Sequence, residues 1–273
     1  VMKKIAVLFT CFNRCKTTKR AIQKIDNEKG VKIDFFVIDD KSTDNTLQEL
    51  KKLNKKNLHI LQTKGNYYYS KSMNYGMNYL LNLKKQYDYL LMVNDDVDFY
   101  HGFLEKMIDF QTLHNCITIG ACEDEKGKLS YGGILFHSKF SSDFERIGPE
   151  KKHILCNTFN GNCVLIPYKW FQIVGAMDNH YVHSFGDFDY GLEYSRKKYK
   201  LLVYNEFVGK CNRNSKANTW EDKKLSFKKR LFLLNSPKGL PFHQSFYYYK
   251  KNFNILVAFK CSLSPYIRIF LRK

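Results

Sequence analysis

No run of this sequence approaches the roughly 18 consecutive apolar residues of a membrane-spanning helix, which argues against an integral span. The apolar run over residues 5–10 is too short for a secretory signal, and no small-residue cleavage site follows it. None of the eight cysteines forms a Cys-x-x-Cys pair, and Cys11 and Cys15 lack partner ligands nearby in the sequence. A reduced, cytoplasmic protein is therefore expected, rather than a disulfide framework or a structural zinc site. Acidic residues are absent from Lys223 to the end of the chain, although the net charge of +19 is otherwise spread thinly. That absence marks off a basic, aromatic C-terminal segment from a mildly basic body.

What is present is enough for a substantial core. The chain has 273 residues, of which 44% are hydrophobic, so one large domain with an appendage is expected. Its first part alternates between two periods. Residues 3–10 read as a strand, 11–14 as a turn, and Thr17 or Thr18 as the cap of a helix running to about Glu28 and closed by Gly30. Residues 34–38 form a second buried strand ending on Asp39 and Asp40, after which Ser42 or Thr43 caps a helix over 44–54. Residues 58–62 are a third strand, and 70–84 a helix in which Gly76 is costly. Strand and helix in alternation predict a parallel sheet with right-handed crossovers.

The fourth strand, Leu90-Leu91-Met92-Val93, ends on Asn94, and Asp95, Asp96 and Asp98 follow at once. At the C-terminal end of a parallel strand such a cluster overhangs the crevice where open α/β sheets bind ligands. Neighbouring carboxylates repel unless a cation neutralises them, and hard divalent ions take oxygen ligands. A Mg²⁺ or Mn²⁺ site for a diphosphate and a polar loop capping a strand both fit these residues.

Three segments in order and spacing resemble successive signatures of family 2 glycosyltransferases: Thr10-Cys11-Phe12-Asn13-Arg14, residues 37–46 (VIDDKSTDNT), and Asn94-Asp95-Asp96-Val97. The resemblance covers about residues 3–205. It implies an α/β GT-A fold with a mixed central sheet: a nucleotide-binding, Rossmann-like half (about 2–115), then an acceptor-binding half (about 116–212). Residues 213–273 would be a helical, basic C-terminal extension. The implied reaction moves a sugar from a nucleotide diphosphate with inversion at the anomeric carbon. Asp39 would accept the N3–H of uracil or thymine, with Thr10 and Arg14 lining that pocket and Asp95 beside the ribose. Asp96 would hold Mn²⁺ or Mg²⁺ between the diphosphate oxygens. Asp98 is read as the cap of a helix over 100–112. Residues 65–76 resemble the family's Asn/Gly-rich segment, placing Asn66 at the donor. Met73 stands where a basic residue often precedes the Asn, which leaves Lys71 as the diphosphate candidate.

In the second half, strands are expected over 117–121 and 129–136 around a solvated turn at 123–128, followed by a polar loop over 138–152. Gly161 opens a loop that, by resemblance, approaches the donor sugar. A short helix follows from Tyr168. A helix starting near Gly186 would carry Asp187 in its first turn. Inverting transfer needs a general base for the acceptor hydroxyl, and Asp187 matches the family's catalytic Asp. Gly186 replaces the Glu that commonly precedes it. Asp189 and His183 are acceptor-side or outer candidates, His183 also for the metal.

The extension reads as a helix over 225–234, a stop at Ser236-Pro237-Lys238-Gly239, further segments at 242–249 and 255–259, and a tail after Pro265 in which Ile, Phe and Leu alternate with Arg. It could be a solvated helical surface, a patch for an anionic membrane, or a nucleic-acid surface. The strand-end aspartates argue against nucleic acid. The resulting expectation is a UDP- or dTDP-sugar donor and a glycan or lipid-linked glycan acceptor of a bacterial capsule or lipopolysaccharide. The enzyme would work peripherally on the cytoplasmic face of the membrane. A basic nucleic-acid-binding protein and an inactive sugar-nucleotide-binding domain are the competing readings.

Overall fold

The computed structural model describes residues 2–149 and 154–271; the end of the expected 138–152 loop and Arg272 and Lys273 of the tail lie outside them. Four parallel strands open the chain: β1 (Lys3–Cys11), β2 (Val31–Asp39), β3 (Leu58–Gln62) and β4 (Tyr89–Val93). They are joined by α1 (Cys15–Asp26), α2 (Thr46–Lys52) and α3 (Tyr68–Asn82). There follow β5 (Asp98–Phe99), α4 (Phe103–His114), β6 (Ile117–Glu123), β7 (Leu129–Tyr131), β8 (Gly133–Phe136), β9 (Phe144–Ile147), β10 (Thr158–Phe159), β11 (Cys163–Pro167), α5 (Tyr168–Val174), α6 (Gly186–Arg196) and β12 (Leu201–Lys210). The extension folds as α7 (Phe227–Leu234), α8 (Phe242–Asn252) and α9 (Ile255–Phe270).

The main sheet has the order β3-β2-β1-β4-β11-β6-β12-β5, with β7 paired to β6; β10, β8 and β9 make a small second sheet. β11 runs antiparallel between β4 and β6, which makes the sheet mixed. Both faces are covered, so the strands are apolar at nearly every position. Ile5, Val7 and Phe9 of β1 enter one core with Ile22 and Ile25 of α1 and Leu104 and Met107 of α4. Ala6 and Leu8, pointing the other way, meet Met73, Met77 and Leu80 of α3 and Tyr190 of α6. Gly76 is what lets α3 lie so close: a Cβ there would stand 2.6 Å from Leu8 and 2.8 Å from Ile38. Its helix-propensity cost of ~1 kcal/mol is offset by that packing.

Several local expectations give way to tertiary contacts. Thr18 does not cap α1; its hydroxyl is buried and donates to Asp95 (2.7 Å). Ser42 turns back to Asp39, and α2 begins only at Thr46. Asp98 caps nothing: it lies in β5 facing Lys24 (3.3 Å), and the first amides of α4 are capped from a distance by the Glu28 carboxylate, which accepts from Gly102 and Leu104. The expected strand over 129–136 breaks at Gly132, where a Cβ would meet the Ile147 carbonyl at 2.4 Å. The polar loop after it contains β9, paired with β8. Pro265 does not end the last helix, because α9 runs through it.

The strand order reverses between β1 and β4, whose C-terminal ends therefore diverge into loops on either side of a crevice.

Candidate active site

That crevice is a cavity of about 800 Å³. Three loops at strand ends build one wall. Asn13, with φ of 53°, accepts from the Thr43 amide (2.7 Å) and donates its own amide to Ser42 (2.9 Å). The first two signature segments are thus tied together across β1 and β2. Asp40 accepts from the amides of Tyr67 (3.0 Å) and Tyr68 (2.7 Å) and from the Thr63 hydroxyl. It fixes the turn into α3, which presents Gly65, Tyr68 and Tyr69 to the cavity.

Arg14 reaches across from the β1 loop to the β4 loop, donating to Asp95 (2.9 Å) and Asp96 (3.0 Å). Asp95 is almost fully buried, with its other oxygen taken by Thr18. Burial pushes its pKa up, while Arg14 and Thr18 pull it back down. Asp96 is a third exposed, with Oδ1 beside the Cys211 thiol at 3.7 Å. The Cys211 pKa is pushed up to about 12, by burial first and then by Asp96, so it is a neutral thiol. No cluster of three His, Cys, Asp or Glu that could hold a metal occurs among the described residues. Asp96 offers a partly open carboxylate, a donor that suits Mg²⁺ or Mn²⁺ taking its remaining ligands from a diphosphate and water.

Asp187 sits in the first turn of α6 and lines the same cavity. Its Oδ2 accepts from the Gly161 amide (3.0 Å) and its Oδ1 from its neighbour Phe188 (2.9 Å). Burial raises its pKa above the ordinary carboxylate range, and these amides partly oppose the rise. Gly186 is required here, since a Cβ would lie 2.4 Å from the Ser70 hydroxyl of α3. That contact accounts for the missing Glu. Tyr69 lies between the two carboxylate centres: its hydroxyl is buried without a partner, and its pKa is raised by burial and by the charges of Asp187 and Asp96.

Thr10, Arg14, Asp95, Asp96, His183 and Asp187 all line the cavity. Other expected residues do not. Asp39 is fully buried beneath the wall, with one oxygen held by Ser42 (3.1 Å to the amide) and the other by the Gln62 amide (3.0 Å). Asn66 is exposed on the neighbouring loop, and the Lys71 ammonium stands over the Tyr67 ring at 4.8 Å. Gly161 approaches Tyr69 and Asp187, where a Cβ would stand 2.1 Å from the Tyr69 hydroxyl, so its close approach lets its amide reach Asp187. Asp189 is buried and belongs to another network: it binds Lys251 (2.7 Å) and Asn252 (2.8 Å) of α8. His183 keeps an unpartnered Nδ1, and its pKa is lowered to about 4 by burial and then by the charges of Lys238 and Arg14, so the ring is neutral. Sequence reasoning missed Tyr69, Asn160 and Asn162, and also Trp220, Leu233 and Lys238 of the extension, which wall the cavity.

The fold is GT-A, that of a glycosyltransferase. Residues 6–163, more than half of the chain, match Glycosyl transferase family 2, and the chain belongs to that family. No curated protein matches it. Among solved structures, the mannosyltransferase PcManGT from Pyrobaculum calidifontis, in complex with GDP-Man and Mn²⁺, is similar at a TM-score of 0.59 and 10% identity, over 99% of this chain and 71% of its own. GalNAc-T7 with UDP, GalNAc and Mn²⁺ is similar at 0.59 and 12% identity, over 79% of this chain but only 46% of GalNAc-T7. S. aureus TarS 1-349 is similar at 0.55 and 15% identity, over 98% and 73%. At these identities the likeness is one of fold.

Proposed function

We propose that this glycosyltransferase inverts the anomeric centre of a sugar carried on UDP or dTDP, transferring it to a hydroxyl of a glycan or lipid-linked glycan. The observation that carries the reading is that Asp187 and the Arg14–Asp95–Asp96 constellation line one cavity. Asp187 takes the proton of the acceptor hydroxyl as that oxygen attacks the anomeric carbon from the side opposite the diphosphate. Its raised pKa suits it to receive a proton. The amides of Gly161 and Phe188 keep the carboxylate in place.

Asp96 is the residue that would hold Mn²⁺ or Mg²⁺, and Arg14, anchored by buried Asp95, keeps Asp96 oriented. The bound ion would neutralise charge on the diphosphate. PcManGT and GalNAc-T7, both solved with Mn²⁺, are similar in fold and support this assignment. A pyrimidine preference requires Asp39, whose Oδ2 is covered by the exposed Gln62; the amide of Gln62 must turn aside for the base to reach it. Thr10 lines the cavity beside this position. Asn66 would join the donor site only through a movement of the loop before α3, and Lys71, in the first turn of α3, only by leaving the Tyr67 ring.

The acceptor belongs to a bacterial surface polysaccharide, built at the cytoplasmic face of the membrane, with the extension resting on anionic lipid. Support comes from the acid-free sequence after Lys223 and from the outer face of α9. Among the described residues no helix is long and apolar enough to cross a membrane, so attachment would be peripheral.

Calorimetry tests the donor site. UDP or dTDP should bind in the presence of Mn²⁺, and the binding should largely vanish with EDTA or in Asp96→Ala. Equal affinity for GDP would remove the pyrimidine assignment.

A further inference from the structure

We infer that Lys238, carried on the loop between α7 and α8, binds the β-phosphate of the donor diphosphate. The inference rests on the donor-site reading above and adds to it a ligand-binding residue from the extension.

The first argument is an inventory of charge. Arg14 and Lys238 are the lysine and arginine side chains on the cavity lining, which also carries Asp40, Asp95, Asp96 and Asp187. The two hydrogen bonds of Arg14 to Asp95 and Asp96 already neutralise it. A nucleotide sugar brings two further negative charges, and a third appears when the sugar leaves. One divalent ion on Asp96 offsets two of these. Among the described residues of the lining Lys238 is the remaining cation, and no acidic residue lies within its own segment of chain.

The second argument is placement. Lys238 is exposed at the rim, but its backbone is held firmly. The Gly239 amide donates to Ser236 (2.8 Å), the Ser236 hydroxyl donates to Leu233 (2.7 Å), and the Ser184 hydroxyl donates to Gly239 (3.3 Å). Gly239 has no room for a side chain, because a Cβ would lie 2.3 Å from the carbonyls of Leu233 and Leu234. Pro237 fixes φ just before the lysine. The loop is therefore pinned to the segment that carries His183 and leads into α6. Lys238 lines the same cavity as Arg14, Asp96 and His183.

In the reaction, the acceptor oxygen–carbon bond forms and the bond from the anomeric carbon to the β-phosphate oxygen breaks. The electron pair stays on the diphosphate and the proton passes to Asp187. Lys238 meets the charge that develops on the departing oxygen, so it acts on both donor affinity and turnover.

The test compares UDP with UMP by calorimetry at low ionic strength, where a rim cation is least screened. Lys238→Gln should weaken UDP by about tenfold, the size of a charge-assisted hydrogen bond, and leave UMP within twofold; Lys238→Arg should restore UDP. If Lys238→Gln keeps the wild-type ratio of UDP to UMP affinity, the inference is overturned. If the wild-type chain binds no nucleoside diphosphate, the donor-site reading fails first and the inference falls with it.

Discussion

The N-terminal strand ends and the C-terminal extension face one cavity, but they shape it by different means. The strand ends act through short-range order: Arg14, Asp40, Asp95 and Asp96 each follow a buried strand by a few residues, so the sheet alone delivers them to the crevice. The extension acts through docking. Trp220, Leu234 and Ile269 form a small core of their own, and α8 is bolted to α6 through Lys251, Asn252 and Asp189. The first region carries its chemistry in motifs. The second carries it in which surfaces happen to meet.

The sharpest break in the comparison lies where the two regions converge, at Asp187. Asp187→Asn should lower transfer by about 10²-fold or more while UDP affinity stays near wild type. Acid should do the same reversibly. The base works only when ionised, so turnover should fall as pH drops through its burial-raised pKa. A near wild-type rate in Asp187→Asn would remove it as the base. Asp189 is no substitute, being buried in its bonds to α8.

Gly161→Ala should be the next largest effect, at about tenfold in turnover from displacement of a hydrogen-bonded base. The new Cβ would collide with the Tyr69 hydroxyl at 2.1 Å and push the amide away from Asp187. Because that hydroxyl has no partner, Tyr69→Phe should fold normally and, in the double variant, recover part of the loss. A double variant no better than Gly161→Ala would mean that the collision is not the cause.

These two positions also show how far the sequence could be read. The place of Asp187 was legible because its segment resembles the family's and reads as a helix start, and it does lie in the first turn of α6 on the cavity. Gly161 was legible as a close approach, but what approached it was not, since Tyr69 comes from a helix about ninety positions earlier. The strands β1 to β4 were legible because burial on both faces leaves apolar runs bounded by polar ends. Thr18, Ser42 and Asp98 were misread for a shared reason: each is a good local cap, and each found a stronger partner far along the chain or across a turn. Asp39 and Asp189 show the same limit at the site itself. An Asp-Asp or Asp-x-Asp pattern supplies two carboxylates, and only tertiary packing decides which of them faces the cavity.

The contact of α8 with α6 should matter for stability rather than for chemistry. Lys251 touches Asp189 (2.7 Å), Asp178 (3.0 Å) and Glu193 (3.1 Å). Burial pulls its pKa down, but those carboxylates raise it by more, so it stays charged. Lys251→Met leaves buried Asp189, beside two other acids, with only Asn252 (2.8 Å) and the more distant Arg196 (4.0 Å) among the described residues. Removing one partner of a buried pair costs 3–5 kcal/mol, less where the cation is partly exposed, so about 2 kcal/mol is expected from urea unfolding. Lys250→Met, on the exposed neighbour, should cost almost nothing. Equal midpoints for the two variants would mean that the extension is not bolted to α6 through this residue.

The smallest effect at the active site, and the clearest separation of the two regions, is expected on the outer face of α9. Ile255, Leu256, Phe259, Leu263 and Ile267 are all exposed and fall at helical spacing along one side, with Phe270 and Leu271 continuing it. Lys260 and Arg268 border that stripe. So many adjacent apolar side chains exceed what a soluble surface ordinarily leaves uncovered. A second copy would bring an equally cationic, acid-free surface, whereas an anionic bilayer offers both the apolar interior and the opposite charge. Leu256→Ser with Phe259→Ser removes two of the deepest anchors, each contributing on the order of 2 kcal/mol when buried. Sedimentation with phosphatidylserine-containing vesicles should then fall by at least tenfold at low salt, with UDP affinity within twofold of wild type. Point substitution is the right tool, because truncation before α8 would also strip Lys251 from Asp189. If the wild-type protein fails to sediment with such vesicles at low salt while remaining monomeric, the stripe is not a membrane surface.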